Sequence, residues 1–142
     1  MKRLFAALCL CSIAAVAHAE ISQKFGALEV HYNALTTDEL QPEVARAYKI
    51  GRSKTRGLVT ISVLKKNSVG VAVPVPAKLT VYATNLTQQL SNISMREVKE
   101  GTAIYYLGDF RVAPPDTLKF TATVEVAGEP KREMVFEQKF FK

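Results

Sequence analysis

The sequence predicts an all-β fold: an antiparallel, immunoglobulin-like two-sheet sandwich of about seven strands with one short helix. Two observations carry this prediction. Apolar and polar residues alternate with a period of two through most of the chain after Glu20, which is typical of half-buried strands. Turns rich in glycine, proline and aspartate separate these alternating runs. Because the chain has no tryptophan and no cysteine after Cys11, the pattern predicts the architecture alone, with a small barrel as the competing fold.

The clearest strand pair lies near the C-terminal end. Thr117–Val126 alternates without a break, Ala127–Pro130 supplies a turn, and Lys131–Phe141 returns, so we predict a hairpin. The segment Gly70–Pro76 contains two prolines that cannot donate ladder hydrogen bonds, which predicts an edge strand or an extended linker. The remaining predicted strands are Phe25–Leu35, Leu58–Lys66, Ala77–Thr84, Gln89–Val98 and Ala103–Val112.

The inward face of Ala103–Val112 is ambiguous. We prefer Ile104, Tyr106, Phe110 and Val112 as core residues, because the opposite set includes Asp109. A bulge near Gly108 is a second way to reconcile the two faces.

One segment departs from the strand pattern. Pro42–Lys49 places proline at a first helical position with Glu43 in the first turn, which predicts a short helix over the sandwich. Val44 and Tyr48 stand four residues apart and are expected to share its packed face, and Gly51 follows as a stop.

The first nineteen residues predict a cleaved secretory signal peptide. Lys2 and Arg3 precede an apolar segment from Leu4 to Val16, and small residues precede a cleavage site after Ala19. The apolar segment is shorter than the roughly 20 residues that span a bilayer, so we expect no transmembrane segment after cleavage. Cleavage would leave one domain, residues 20–142, with no cysteine and with His31 as its only histidine.

A basic segment is the main candidate site. The full chain has 19 basic and 13 acidic side chains, a mild excess that favours anionic partners without indicating nucleic acid. No acidic residue interrupts the stretch from Arg46 to Arg56, and arginine side chains suit carboxylate or phosphate. Its candidate ligand-binding residues are Arg46, Tyr48, Arg52, Ser53, Lys54 and Arg56. The alternative is a solvated loop whose arginines pair with Glu39 and Glu43.

His31, in His31-Tyr32-Asn33, is a further candidate ligand-binding residue. Catalysis would need a partner group, and the sequence has no nucleophile motif or paired carboxylates around it. A copper site would combine His31 with Met95 and Met134, but isolated methionines on apolar strands more often fill a core. We therefore predict no catalytic residue, no metal site and no cofactor.

The same motifs resemble a family of small exported proteobacterial proteins known as domain of unknown function number four-four-two-six. The resemblance is carried by His31–Ala34, Pro42–Tyr48, Arg52–Lys54 with Arg56 and Gly57, Ile61–Lys66, and Arg96–Val98 with Ile104–Leu107. It implies a Gram-negative periplasm and brings no activity with it.

The sequence thus favours a non-catalytic periplasmic binding or interaction module. Its expected partner is an envelope protein or an anionic envelope component, met through the basic loop. A small hydrolase or metal carrier using His31, and a structural subunit of an envelope assembly, are the alternatives.

Overall fold

The computed structural model describes residues 21–141, so the predicted signal peptide lies outside the described residues. In that range the chain forms ten strands, a 3-10 turn at Thr37–Glu39 and a helix α1 at Pro42–Ala47. The strands are β1 Ile21–Phe25, β2 Leu28–Thr36, β3 Arg56–Lys66, β4 Ala72–Pro74, β5 Lys78–Thr84, β6 Leu90–Ile93, β7 Arg96–Glu100, β8 Ala103–Arg111, β9 Asp116–Glu125 and β10 Arg132–Phe140.

The strands form two antiparallel sheets that pack face to face. Sheet A has the order β1-β2-β3-β8-β7, with β4 also paired to β3, and sheet B has the order β10-β9-β5-β6. This arrangement confirms the predicted all-β sandwich, and the two separate sheets exclude the competing barrel.

A column of aromatic rings fills the centre of the core between the sheets. Tyr32 of sheet A stacks on Phe136 at 4.2 Å between ring centroids, and Phe136 stacks on Phe120 at 4.9 Å. Phe110 then meets Phe120 edge to face at 5.1 Å and Phe140 at 5.8 Å. Such pairs contribute beyond the area they bury, so this column fixes how the two sheets align.

The predicted C-terminal hairpin is confirmed. β9 and β10 pair without interruption from Arg132↔Val124 to Phe140↔Asp116. Alternate residues of both strands are buried in the core: Leu118, Phe120, Ala122, Val124, Met134, Phe136 and Phe140. On β8 the preferred phase also holds, because Tyr106 and Phe110 belong to the core.

Two predicted strands are each divided. A two-residue turn at Gly26 and Ala27 separates β1 from β2, with Gly26 in the left-handed region at φ 60°. The predicted strand Gln89–Val98 becomes β6 in sheet B and β7 in sheet A, so the chain crosses between the sheets at Ser94 and Met95.

Gly108 leaves room for this crossing. A Cβ atom at Gly108 would lie 2.5 Å from both Ile93 Cγ2 and Met95 Sδ. The absence of a side chain therefore lets the crossing chain pass close over β8. The pairing of β8 with β3 is continuous through Gly108, so no bulge is formed.

The Gly70–Pro76 segment contributes the short edge strand β4. Its inward hydrogen bonds are Asn67 N–H to Val71 O at 2.8 Å and Val75 N–H to Val63 O at 3.0 Å. Pro74 therefore faces the open edge, where it has no N–H to offer. A further strand cannot pair continuously along this edge.

Helix α1 lies over the outer face of sheet A. Leu58 of β3 and Leu107 of β8 point away from the sandwich core and are nevertheless buried, together with Ala45 of the helix. Ala45 therefore anchors the helix, whereas Val44, which was expected on the packed face, is exposed. The helix ends earlier than predicted because Tyr48 leaves the helical conformation and Lys49 adopts φ 56°.

Candidate functional site

A cleft of about 830 Å³ opens at the end of the sandwich where β3 begins and β8 ends. The loop after α1 forms one wall, and the ends of strands from both sheets form the others. Three arginines, Arg52, Arg56 and Arg111, line it together with the apolar side chains of Phe110 and Leu118.

Buried Thr37 holds the basic loop in place. Its hydroxyl accepts a hydrogen bond from Ser53 N–H at 2.8 Å and donates one to Gly51 O, also at 2.8 Å. Asp38 N–H adds a bond to Ser53 O at 3.3 Å. The loop is therefore tied to the 3-10 turn that follows β2, which gives the cleft a fixed wall.

Arg52 has a structural part in this wall. Its Nε donates to Leu40 O at 2.9 Å and its Nη2 donates to Asp38 O at 2.7 Å. Asp38 lies in the 3-10 turn and Leu40 directly follows it, so Arg52 joins the end of this turn to the loop. Its positive charge remains at the cleft, but two of its donors are already engaged.

Arg56 and Arg111 stand directly opposite each other at the ends of β3 and β8. Residues paired this way have Cβ atoms about 5 Å apart, and like charges there are destabilising. Arg56 has one counter-charge, since its Nε lies 3.6 Å from Asp109 Oδ2. Among residues 21–141, the side chain of Arg111 has no hydrogen-bond or ion-pair partner.

Two glycines shape the surroundings of Arg56. A Cβ at Gly57 would lie 2.2 Å from the Phe110 ring, so the ring occupies the space that a side chain would fill. A Cβ at Gly51 would lie 3.5 Å from Arg56 Nη1, which places the guanidinium beside the loop backbone. The cleft thus combines an aromatic floor with a cationic rim. Asp116 also lines it, and its carboxylate accepts the N–H of Thr117 at 2.8 Å.

The other residues predicted for the basic site lie beside the cleft. Arg46 is exposed on α1 and pairs with Glu43 at 3.7 Å, as the alternative interpretation expected. The Ser53 hydroxyl bonds that of Thr55 at 3.1 Å at the cleft wall. Lys54 is exposed and lines a neighbouring hollow rather than the cleft.

Tyr48 anchors the end of α1 to β7. Its hydroxyl donates to the Glu100 carboxylate, and the Arg96 guanidinium donates to Tyr48 O. The hydrogen bond to Glu100 is the main cause that raises the pKa of Tyr48 above its usual value, and burial adds to it. Tyr48 therefore fixes the helix on sheet A and does not reach the cleft.

His31 lies far from the basic loop. It is on the outer face of β2, where its Nε2 is 3.2 Å from Glu29 Oε1 and its strand partner is Ser62. Ser62 is six residues along β3 from Arg56, which corresponds to about 20 Å. The structure therefore separates His31 from the other predicted ligand-binding residues.

The copper set considered from the sequence is not assembled. His31 is on the outer face of sheet A, whereas Met134 is fully buried in the core and Met95 packs beside Gly108. Across residues 21–141, no three His, Cys, Asp or Glu side chains gather where they would hold a metal ion. In the same range, no helix is long and apolar enough to cross a membrane.

Sequence reasoning missed Arg111. It follows an aromatic strand and precedes two prolines, and nothing in that context indicates a site. Only the register of β3 with β8 brings it to Arg56. The antiparallel pairing of the two strands would have to be known before this arginine could be selected.

Comparison with known proteins identifies a matching family and similar solved structures. The model of the domain of unknown function DUF4426 matches residues 22–142. The crystal structure of a DUF4426 family protein from Pseudomonas aeruginosa PAO1 is similar, with 38% identity and a TM-score of 0.72. The match covers 86% of this chain and 94% of that one. No curated protein matches the chain.

Two structures of FetP from uropathogenic Escherichia coli strain F11 share the fold. A copper-bound glutamate-to-glutamine variant is 14% identical with a TM-score of 0.62, and the match covers 86% of this chain and 95% of that one. FetP as isolated after expression in the periplasm is 12% identical with a TM-score of 0.61, covering 86% and 93%. At these identities the likeness shows the fold alone.

Proposed function

This chain belongs to the DUF4426 family of domains of unknown function, and from that premise we propose that it is a non-catalytic periplasmic binding module. Its ligand is an anionic group, a carboxylate or a phosphate, on an envelope component or a partner protein. The cleft between the basic loop and the ends of β8 and β9 receives it.

The opposed pair Arg56 and Arg111 carries the proposal. Two guanidinium groups on directly paired residues repel each other, and Asp109 neutralises only part of this charge. An anion bound between them would offset the repulsion and accept charge-assisted hydrogen bonds from both guanidinium groups. Arginine also offers a planar fork that matches both oxygens of a carboxylate or phosphate.

The rest of the cleft supports a small anionic group attached to something larger. Its volume of about 830 Å³ falls within the range of ordinary ligand sites. Phe110 and Leu118 provide apolar surface beside the arginines, while Thr37 and Arg52 keep the wall preorganised. Preorganisation reduces the ordering cost that binding would otherwise incur.

The periplasmic part of the proposal rests on two supports. The first nineteen residues have the composition of a signal peptide, and the structurally similar FetP was expressed in the periplasm. The non-catalytic part rests on the environment of His31, which is paired with Glu29 and lies about 20 Å along the sheet from the cleft.

The test measures thermal stability with inorganic phosphate and with citrate as probes. For the unaltered chain we expect either anion to raise the Tm as its concentration increases, because a ligand that binds only the folded state stabilises it. In Arg111→Gln, the anion should no longer raise the Tm. The same variant should be slightly more stable than the unaltered chain without anion, by about 0.5 kcal/mol, because the repulsion is gone.

Lys99→Gln is the matched control, since Lys99 is an exposed cation on β7 away from the cleft. It should respond to anions like the unaltered chain. An equal response of Arg111→Gln and the unaltered chain would refute the anion site. A second measurement, hydrolysis of model esters and copper titration of His31→Ala, addresses the alternatives. Loss of either activity in that variant would replace the binding module with a hydrolase or a metal carrier.

A further inference from the structure

The hairpin between β3 and β4 exposes a row of valines that the core does not use. Val69, Val71, Val73 and Val75 alternate with other residues, as in a half-buried strand. Only Val75 packs against the core. Beyond it the exposed fraction rises from 37% at Val73 to 54% at Val71 and 78% at Val69. The apolar stripe therefore leaves the core and continues into solvent.

The tip that carries these valines is well ordered by its own hydrogen bonds. Asn67 Oδ1 accepts the N–H groups of Val69 at 3.1 Å and Val71 at 2.9 Å. Gly70, at φ 80°, donates its N–H to Asn67 O at 3.0 Å. The two most exposed valines are thus held outward by a compact turn, so little ordering cost remains when they contact an apolar phase.

Two neighbouring turns surround this tip. Lys66 N–H donates to Ala27 O at 2.9 Å, which joins the tip to the β1–β2 turn. Lys65 Nζ lies 3.0 Å from Glu129 Oε1, which joins it to the β9–β10 turn. Three hairpin turns therefore form one end of the sandwich, opposite the cleft.

This end carries a small excess of positive charge. The segments 24–29, 65–73 and 125–132 contain five cations and three carboxylates. All three carboxylates already have partners: Glu29 lies beside His31, Glu129 pairs with Lys65, and Glu125 pairs with Lys131 and Lys78. The cations of these segments are Lys24, Lys65, Lys66, Lys131 and Arg132. The mild positive excess of the chain is therefore well represented at the end that exposes the valines.

We propose that this end is a membrane-docking surface for a bilayer rich in anionic phospholipid. Val69 and Val71 are exposed at the hairpin tip and would enter the region between headgroups and acyl chains. The surrounding lysines would meet the lipid phosphates, each cation contributing to the attraction. Exposed valines beside lysines match the apolar interior and the negative surface of an anionic bilayer.

The docked orientation has a consequence for the cleft. β3 runs its 11 residues from Arg56 at the cleft to Lys66 at the tip, a span of about 35 Å. A chain docked by its valine tip would therefore hold the arginine cleft away from the bilayer, open to ligands in the surrounding space. The docking surface is separate from the anion site, and the two proposals can fail independently.

The first test uses an introduced tryptophan as a probe. The natural chain has none, so Val69→Trp places the only indole at the tip. A chain beginning at Glu20 keeps all the strands described between residues 21 and 141 and omits the predicted signal peptide. We expect its emission to shift to the blue with vesicles of phosphatidylglycerol and phosphatidylcholine, and not with phosphatidylcholine alone. Leu86→Trp, at a residue 76% exposed near the opposite end, is the matched control and should show no shift.

The second test measures co-sedimentation with the same vesicles. The double variant Val69→Ser with Val71→Ser should bind about tenfold more weakly, because two partly inserted valines are lost. Lys66→Gln should bind about fivefold more weakly at low salt. Leu86→Ser should bind like the unaltered chain. Equal binding to neutral and anionic vesicles, or undiminished binding of the double valine variant, would overturn the proposal. Binding to native membranes but not to protein-free vesicles would also overturn it, in favour of a protein partner.

Discussion

Replacing Gly57 with alanine should destabilise the protein through a single contact. Gly57 pairs with Phe110 across the β3–β8 ladder, and an added Cβ would lie 2.2 Å from two carbons of the Phe110 ring. The ring cannot move aside freely, since Phe120 and Phe140 contact it at centroid distances of 5.1 and 5.8 Å. The methyl group must therefore displace packed core atoms or the strand itself.

The expected cost follows from two opposing effects. Overpacking a core in this way costs about 1–3 kcal/mol. Alanine also restricts the unfolded chain more than glycine does, which returns about 0.4–1 kcal/mol where the backbone tolerates it. Gly57 lies in an ordinary strand conformation, so both effects apply. We expect the free energy of unfolding to fall by about 1–2 kcal/mol.

Urea denaturation of a double-mutant cycle tests the cause as well as the size. Phe110→Ala alone should cost about 3–5 kcal/mol. In the Phe110→Ala background, Gly57→Ala should leave the free energy of unfolding unchanged or raise it, because the new methyl group enters the space that the ring has vacated. Gly51→Ala is the control, since its Cβ would meet only Arg56 Nη1 at an ordinary 3.5 Å. Additive effects of Gly57→Ala and Phe110→Ala would refute the proposed clash.

Substitutions at three further positions test other parts of the structure. Thr37→Val should cost about 2 kcal/mol in urea denaturation, because it leaves the Ser53 N–H without its buried acceptor, and Thr37→Ser should restore most of the loss. Gly108→Ala should lower the Tm clearly, since its Cβ would meet the crossing chain at 2.5 Å. Burial is the main cause that raises the pKa of Tyr106, and Glu97 adds to it against the opposing bond from Ala77 N–H. The stability from the neutral hydroxyl is complete below about pH 10 and is lost as the pH rises through the raised pKa. Above pH 10, denaturation curves of Tyr106→Phe should therefore fall less steeply than those of the unaltered chain.

The sandwich could be predicted from the sequence because alternation reports burial directly. The β9–β10 hairpin shows this best: each of its strands buries one face against the core, so the period of two specifies both the strand and its inward side. The division at Ser94 and Met95 could not be predicted in this way. Ile93 and Met95 keep the period of two up to this point, and Val98 falls out of phase only three residues later. The space that admits the crossing chain comes from Gly108 on another strand.

Part of the candidate site could be predicted, because part of it is continuous in the sequence. The basic loop stands out as a local run of charge, so Arg52 and Arg56 were found. Local composition does not, however, show which arginines of this run are available to a ligand. Arg52 is engaged by the carbonyl groups of Asp38 and Leu40, whereas Arg111, far along the chain, completes the cleft. Pairing between distant strands determines which charges meet, and a single sequence does not state that register.

The valines from Val69 to Val75 show that alternation alone does not predict burial. Their period of two is as regular as that of the core strands, and from sequence alone it indicates a buried face. The structure shows how far the core extends under this run. Only Val75 lies over the core, so the same pattern becomes an exposed apolar surface further out. Where an alternating run extends beyond the core, folding does not require its residues to be apolar. Contact with another apolar phase is a reason for them to be apolar.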